Sequence, residues 1–114
     1  MPEKTQVMLG AELPGVSGRP LAPAAAQRGR PWRVLLVDDS AAVRTELKVL
    51  LEEHTDLQVV GEASDGEEAM ALAERYRPDV TMMDIGLPRV SGIEATRHIM
   101  KILPQSLVIG ISSL

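Results

Sequence analysis

The chain has 114 residues, enough for one domain, and 45% of them are hydrophobic. Its formal charge is −4 and it contains no cysteine, which excludes disulfides and sulfur-based zinc sites and argues against a nucleic-acid-binding surface. No apolar run approaches the roughly 20 residues that a membrane helix needs, and no signal peptide is evident. We therefore expect a cytoplasmic chain that contacts neither nucleic acid nor membrane.

The first 31 residues differ in composition from the rest. Glycine and proline are scattered among small residues through VMLGAELPGVSGRPLAPAAAQRGRP, without the period of a helix or a strand. Such a segment buries too little apolar surface to offset its chain entropy. We therefore predict a disordered leader at residues 1–31, followed by one folded domain at residues 32–114. A misassigned start site would explain the same composition.

Short apolar runs and helical stretches alternate after the leader. The sequence predicts four strands, at residues 34–37, 57–63, 80–83 and 107–111. It predicts one helix after a capping Ser40, a second at 67–75 and a third at 93–103. Ser64 and Glu67 have the spacing of a capping box for the second helix. This alternation indicates βαβ units and a parallel sheet covered on both faces.

Three aspartates follow directly on predicted strands. Asp38 and Asp39 end the run RVLLVDDS, and Asp84 ends PDVTMMD. The carboxyl ends of parallel strands meet at one edge of a sheet, where ligands bind, so we expect these residues to lie together with Ser112. Three carboxylates at one place would repel one another unless a cation neutralised them. Mg²⁺ suits such a site, because it takes oxygen ligands and bridges to phosphate.

A carboxylate beside a metal ion can accept a phosphoryl group. Asp38 and Asp39 are then the metal anchors, Asp84 is the acceptor, and Ser112 can donate a hydrogen bond to a phosphoryl oxygen. Each residue also has a structural interpretation when taken alone: Asp39 as a helix cap and Asp84 as a turn former. The combination favours a functional site, because structural caps have no reason to converge at one sheet end.

The segments RVLLVDDSAAVR, VVGEASDGEEAM, RPDVTMMDIGLPRVSGIEA and LVIGISSL resemble, in this order, the receiver domain of bacterial two-component response regulators. The resemblance implies a flavodoxin-like α/β fold and a phosphoacceptor that is not itself an enzyme. It implies phosphorelay signalling, in which a sensor histidine kinase phosphorylates Asp84.

The resemblance also implies roles for residues around the acceptor. Mg²⁺ would be held by Asp38, Asp39, Asp84 and the backbone carbonyl of Gly86. Ser112 would be the switch hydroxyl. The loop after the acceptor would be shaped by Pro88 and Gly92.

Two subtypes of receiver fit the sequence. DIGLPRVSGIEA is similar to receivers of DNA-binding regulators, whereas RHIM followed by ISSL is similar to the receiver of chemotaxis protein-glutamate methylesterases. A third interpretation is a receiver that acts only as a protein-binding module. A hydrolase of the aspartyl-phosphate type is disfavoured, because no second aspartate stands two residues after Asp84.

The sequence departs from the family at its C-terminal end. The resemblance implies a fifth strand with a phosphate-contacting lysine and closing helices, and no lysine of this chain fills that role by position. We therefore expect a receiver fold without its last strand and helices. Its fourth strand, LVIGI at 107–111, would be an uncovered apolar edge. A second copy of the chain, an output domain or another partner would cover this edge.

Overall fold

The fold alternates strands and helices. A computed structural model describes residues 5–9, 29–87 and 91–113. The strands are β1 (Thr5–Leu9), β2 (Trp32–Val37), β3 (Leu57–Ala63), β4 (Val80–Asp84) and β5 (Leu107–Ser113). The helices are α1 (Ala41–Glu52), α2 (Gly66–Tyr76) and α3 (Ser91–Ile102). None of these helices is long and apolar enough to cross a membrane.

One five-stranded sheet runs through the molecule, in the order β1-β5-β4-β2-β3. The strands from β2 to β5 pair in parallel, as predicted for the flavodoxin-like fold. Val37 pairs with Met83, and Asp84 pairs with Ile111. The carboxyl ends of β2, β4 and β5 therefore lie side by side at one edge of the sheet.

Each face of the sheet buries an aliphatic cluster. On one face, strand residues pack against alanines and an isoleucine of α2 and α3, namely Leu35, Val37 and Met83 against Ala69, Ala73, Ala95 and Ile99. The residues that alternate with them, among them Val34, Leu36 and Met82, face the other way and pack with Leu47 and Leu51 of α1. This period of two follows from the pleat of the strands.

The N-cap predicted for α1 is confirmed, whereas the one predicted for α2 is not. Ser40 caps α1, and its hydroxyl accepts a hydrogen bond from the amide of Val43 at 3.2 Å. The capping box predicted at Ser64 and Glu67 is wrong by one residue. Asp65 has the extended backbone of a cap and accepts from the amide of Glu68 at 2.8 Å. The carboxylate of Glu68 in turn accepts from the amide of Ser64 at 2.7 Å.

The predicted disordered leader is wrong for residues 5–9, which form β1. This strand runs antiparallel to β5, with Thr5 opposite Ser113 and Val7 opposite Ile111. The predicted uncovered edge at residues 107–111 is therefore also wrong. Unpaired amides and carbonyls of an apolar edge strand pair with an extended segment within reach, and TQVML contains neither glycine nor proline. Residues 1–4 and 10–28 of the predicted leader lie outside the described residues.

The central strand β4 contains a buried hydroxyl group whose removal is expected to change the stability of the protein. Thr81 is 0% exposed, and its Oγ1 has no hydrogen-bond partner among the described residues. Because an unsatisfied buried hydroxyl is costly, Thr81→Val is expected to raise the free energy of unfolding by about 1 kcal/mol, as measured by chemical denaturation. Thr96→Val is the matched control, since the Thr96 hydroxyl donates to the carbonyl of Gly92 at 2.9 Å. An equal gain in both variants would contradict this explanation.

Candidate functional site

Three carboxylates meet at the carboxyl edge of the sheet. Asp38 and Asp39 follow β2, and Asp84 ends β4. One carboxylate oxygen from each residue lies within 4.8 Å of the other two. Asp38 is 5% exposed, Asp84 is half-buried and Asp39 is exposed. The three aspartates that we predicted to lie together therefore form one cluster. This cluster is open to solvent on the side of Asp39.

The turn after β2 holds Asp38 in place. Its amide donates to the carbonyl of Ala63 at 3.0 Å, which continues the pairing of β2 with β3 beyond the strand. Its Oδ1 accepts from the amide of Ser40 at 2.8 Å. Ser40 thus fixes the carboxylate of Asp38 through its amide and caps α1 through its hydroxyl.

Arg44 is a residue of this site that the sequence analysis did not identify. Its Nη1 donates to the backbone carbonyl of Asp38 at 2.6 Å, and its Nε lies 3.1 Å from Oε1 of Glu62. The side chain of Arg44 is only 16% exposed. Its place one helical turn after Ser40 was the available signal, because that turn faces the end of β2. Arg44 thus connects the turn that carries Asp38 to Glu62 of β3.

The pKa of Asp38 is raised above its ordinary value. Burial is the main cause, because it penalises the charged carboxylate, and the neighbouring charges of Asp84 and Asp39 act in the same direction. The hydrogen bond from the amide of Ser40 lowers the pKa and opposes them. A bound cation would reverse the balance, since it would favour the ionised form of all three carboxylates.

The end of β4 presents Asp84 beside a small residue. The amide of Gly86 donates to Oδ1 of Asp84 at 2.7 Å, and the amide of Ile85 donates to the carbonyl of Ile111 at 2.9 Å. A Cβ atom at Gly86 would lie 3.2 Å from Oδ1 of Asp84. The absence of a side chain at Gly86 therefore keeps the Asp84 carboxylate accessible.

Three further residues were predicted for the site, and two of them lie in the part of the chain that the structure describes. Ser112 follows Ile111, the β5 residue that pairs with Asp84, so it lies at the same edge of the sheet. A Cβ atom at Gly92 would lie 3.3 Å from Cδ1 of Leu87, so Gly92 lets the start of α3 approach the loop after β4. Pro88 lies outside the described residues.

The donor set of the cluster fits a hard divalent cation. All three side chains offer carboxylate oxygens, the ligands that Mg²⁺ prefers. The cluster is open on the side of Asp39, which leaves room for the water molecules that Mg²⁺ usually retains. The geometry thus combines three clustered carboxylates that could hold a cation with a small residue, Gly86, beside Asp84 at the end of the central strand.

Part of this chain is similar in sequence to known proteins. Residues 34–114 match the family described as response regulator receiver domain. A protein-glutamate methylesterase/protein-glutamine glutaminase of Pyrococcus abyssi is 48% identical over 86 residues, which are 75% of this chain and 23% of that protein. An uncharacterized transcriptional regulatory protein of Bacillus subtilis, YxjL, is 44% identical over 77 residues, which are 68% of this chain and 35% of that protein. The chain therefore spans only a minor part of these relatives.

Solved structures of related proteins are also similar to this chain. The response regulator domain of Thermotoga maritima CheB is 49% identical, with a TM-score of 0.62, and the match covers 67% of this chain and 57% of that one. The CheX–CheY–BeF₃–Mg²⁺ complex of Borrelia burgdorferi contains a chain that is 28% identical, with a TM-score of 0.62, and the match covers 71% of this chain and 61% of that one.

Proposed function

The chain belongs to the response regulator receiver domain family, and we propose that Asp84 accepts a phosphoryl group from a sensor histidine kinase. The observation that carries the proposal is the group of three carboxylate oxygens within 4.8 Å of one another at the carboxyl edge of the sheet. In this proposal the domain is a phosphoacceptor, with at most weak self-catalysed phosphorylation and dephosphorylation. It serves phosphorelay signal transduction.

In the proposed transfer, a carboxylate oxygen of Asp84 attacks phosphorus. The P–N bond of a phosphohistidine breaks, its electron pair goes to the imidazole nitrogen, and the imidazole takes up a proton. The product is an aspartyl phosphate. The hydrogen bond from the amide of Gly86 to one Asp84 oxygen, at 2.7 Å, orients the carboxylate for this attack.

Asp38, Asp39, Asp84 and the carbonyl of Gly86 would hold Mg²⁺ in this scheme. The ion would neutralise the charge that builds up between carboxylate and phosphoryl group. The complex of Borrelia burgdorferi supports this proposal, since it contains both BeF₃ and Mg²⁺.

Ser112 is proposed as the switch residue, donating a hydrogen bond to a phosphoryl oxygen once Asp84 is modified. Its position one residue beyond Ile111, the partner of Asp84 in the sheet, supports that role. Pro88 and Gly92 are proposed to shape the loop after the acceptor, and the close approach of Gly92 to Leu87 supports this for Gly92.

The relatives suggest two kinds of activity that the receiver domain could regulate. We propose the regulatory head of a protein-glutamate methylesterase as the second candidate, because the Pyrococcus relative and the Thermotoga structure are of that type. The Bacillus relative instead favours a transcription regulator. A receiver that only docks on a partner would bind a kinase equally well without Asp84.

Phosphorylation by a small phosphodonor tests the proposed acceptor. With acetyl phosphate and Mg²⁺, the chain is expected to gain the mass of one phosphoryl group in a base-labile linkage, as measured by intact mass spectrometry. Asp84→Asn should abolish this gain, because the nucleophilic oxygen is lost. Asp56→Asn is the matched control, since Asp56 is exposed and lies between α1 and β3, at the opposite edge of the sheet.

Two results would contradict the proposal. One is a mass gain that persists in Asp84→Asn, and the other is a gain that does not depend on Mg²⁺. Pull-down of a kinase that is unchanged by Asp84→Ala, together with no mass gain, would favour the docking module instead.

A further inference from the structure

A cavity opens at the amino edge of the sheet, opposite the carboxylate cluster. Its volume is about 400 Å³, and its walls are the starts of β2 and β4, the end of α3 and the segment before β5. Three arginines line it, namely Arg30, Arg33 and Arg77. Beside them lie the apolar side chains of Pro78, Leu103 and Pro104. The cavity thus has a cationic part and an apolar part.

The lining of this cavity carries three positive charges and one negative charge. The chain as a whole has a formal charge of −4. Within the described residues, however, none of the three guanidinium groups forms an ion pair with a carboxylate. The carboxylate in the cavity wall belongs to Asp79, which is 8% exposed and accepts from the backbone amide of Arg33 at 2.8 Å.

A side-chain hydrogen bond brings two of the arginines together. Nη1 of Arg33 donates to the backbone carbonyl of Arg77 at 3.2 Å. The backbone of Arg33 is itself fixed, because its carbonyl accepts from the amide of Asp79 at 2.8 Å. Arg33 therefore lines the cavity from a fixed backbone and still has guanidinium donors to offer.

The backbone of Arg77 is unusual for a residue with a side chain. It caps α2 in the left-handed conformation, with φ 47° and ψ 64°. Glycine is the usual residue there, because a side chain makes the left-handed conformation unfavourable. Glycine at this position would relieve the strain but would remove one of the cationic groups of the cavity.

We propose that this cavity binds a phosphorylated small molecule. Arg33 and Arg77 hold its phosphate, because the planar guanidinium fork matches phosphate oxygens and is weakly hydrated. Arg30 adds a third positive charge. The apolar part of the ligand lies against Pro78, Leu103 and Pro104. This site is distinct from the phosphoryl site, since it lies at the other edge of the sheet and uses cationic residues in place of carboxylates.

Titration with inorganic pyrophosphate tests the site. The Asp84→Asn protein in metal-free buffer is the appropriate background, because it removes phosphate chemistry at the carboxylate cluster. Two-dimensional NMR is expected to show saturable shifts at Arg33, Arg77 and Leu103. Arg33→Gln should weaken binding at least tenfold. Arg75→Gln is the matched control, because Arg75 lies over the Tyr76 ring, 5.2 Å from its centroid, and does not line the cavity.

A second variant separates binding from folding. Arg77→Gly is expected to leave the thermal midpoint unchanged or raise it, because the strain at φ 47° is relieved, and yet to weaken pyrophosphate binding at least tenfold. The proposal is overturned if the shifts do not saturate, or if Arg75→Gln weakens binding as much as Arg33→Gln does. It is also overturned if an acidic peptide binds at the cavity and pyrophosphate does not.

Discussion

Asp38→Asn is expected to raise the thermal midpoint of the metal-free protein by a few degrees and to remove most of its stabilisation by Mg²⁺. Asp38 is 5% exposed, and burial raises its pKa, with Asp84 and Asp39 adding to the shift. A carboxyl group whose pKa is raised by folding destabilises the folded state at pH values above that folded pKa. The neutral amide of asparagine removes this penalty and keeps the size of the side chain.

The same substitution should have the opposite effect when Mg²⁺ is present. A ligand that binds only the folded state adds about 2.7 kcal/mol of stability at one hundred times its dissociation constant. The variant lacks one of three clustered carboxylates and should lose most of that gain. Thermal melts with and without Mg²⁺ measure both effects, and Asp56→Asn serves as the control. A variant that keeps the full Mg²⁺ response would contradict the assignment of Asp38 as a metal ligand.

The pH dependence has a definite sign. Stability of the metal-free protein should fall as the pH rises through the folded pKa of Asp38, because the folded state releases a proton that it holds more tightly than the unfolded chain does. Asp38→Asn should flatten this part of the profile. Mg²⁺ should also flatten or invert it, since the ion favours the ionised carboxylate.

The carboxylate cluster could be predicted from the sequence because every step was local. Asp38, Asp39 and Asp84 each follow a short apolar run, and the rule that parallel strands end at one edge brings them together. The cap at Ser40 was predictable for the same reason, since it depends on residues within one helical turn. The shift of the second cap to Asp65 was not, because Ser64 and Asp65 are both good caps and three-dimensional geometry selects between them.

The two arginines that were missed act through hydrogen bonds from their side chains to backbone carbonyls. Arg44 reaches the carbonyl of Asp38, and Arg33 reaches that of Arg77. Bonds from side chain to backbone leave no periodic pattern in a sequence. The position of β1 was missed for a related reason. Pairing Thr5 with Ser113 joins opposite ends of the sequence and depends on which sheet edge is available, not on the composition of the leader.

Proline substitutions in β1 are expected to have alternating effects on stability. On an edge strand, successive amides point in turn toward the neighbouring strand and away from it, so only every second proline removes a hydrogen bond to β5. Of Val7→Pro and Met8→Pro, one should lower the free energy of unfolding by about 1–3 kcal/mol and the other should be mild. Each variant is thus the matched control for the other.

The damaging proline should also expose the edge that β1 covers. Val7 and Met8 of β1 lie opposite Ile111 and Gly110 of β5. These two β5 residues belong to the run LVIGI, which is apolar, uncharged and free of proline. Such an edge pairs readily with other chains. Hydrogen exchange should show lost protection at the β5 amides that point toward β1, and sedimentation should show association. The pairing of β1 with β5 would be contradicted if both variants were as stable as the unsubstituted chain and protected their β5 amides equally well. Because β5 also carries Ser112, the pairing with β1 supports the strand from which the proposed switch hydroxyl acts.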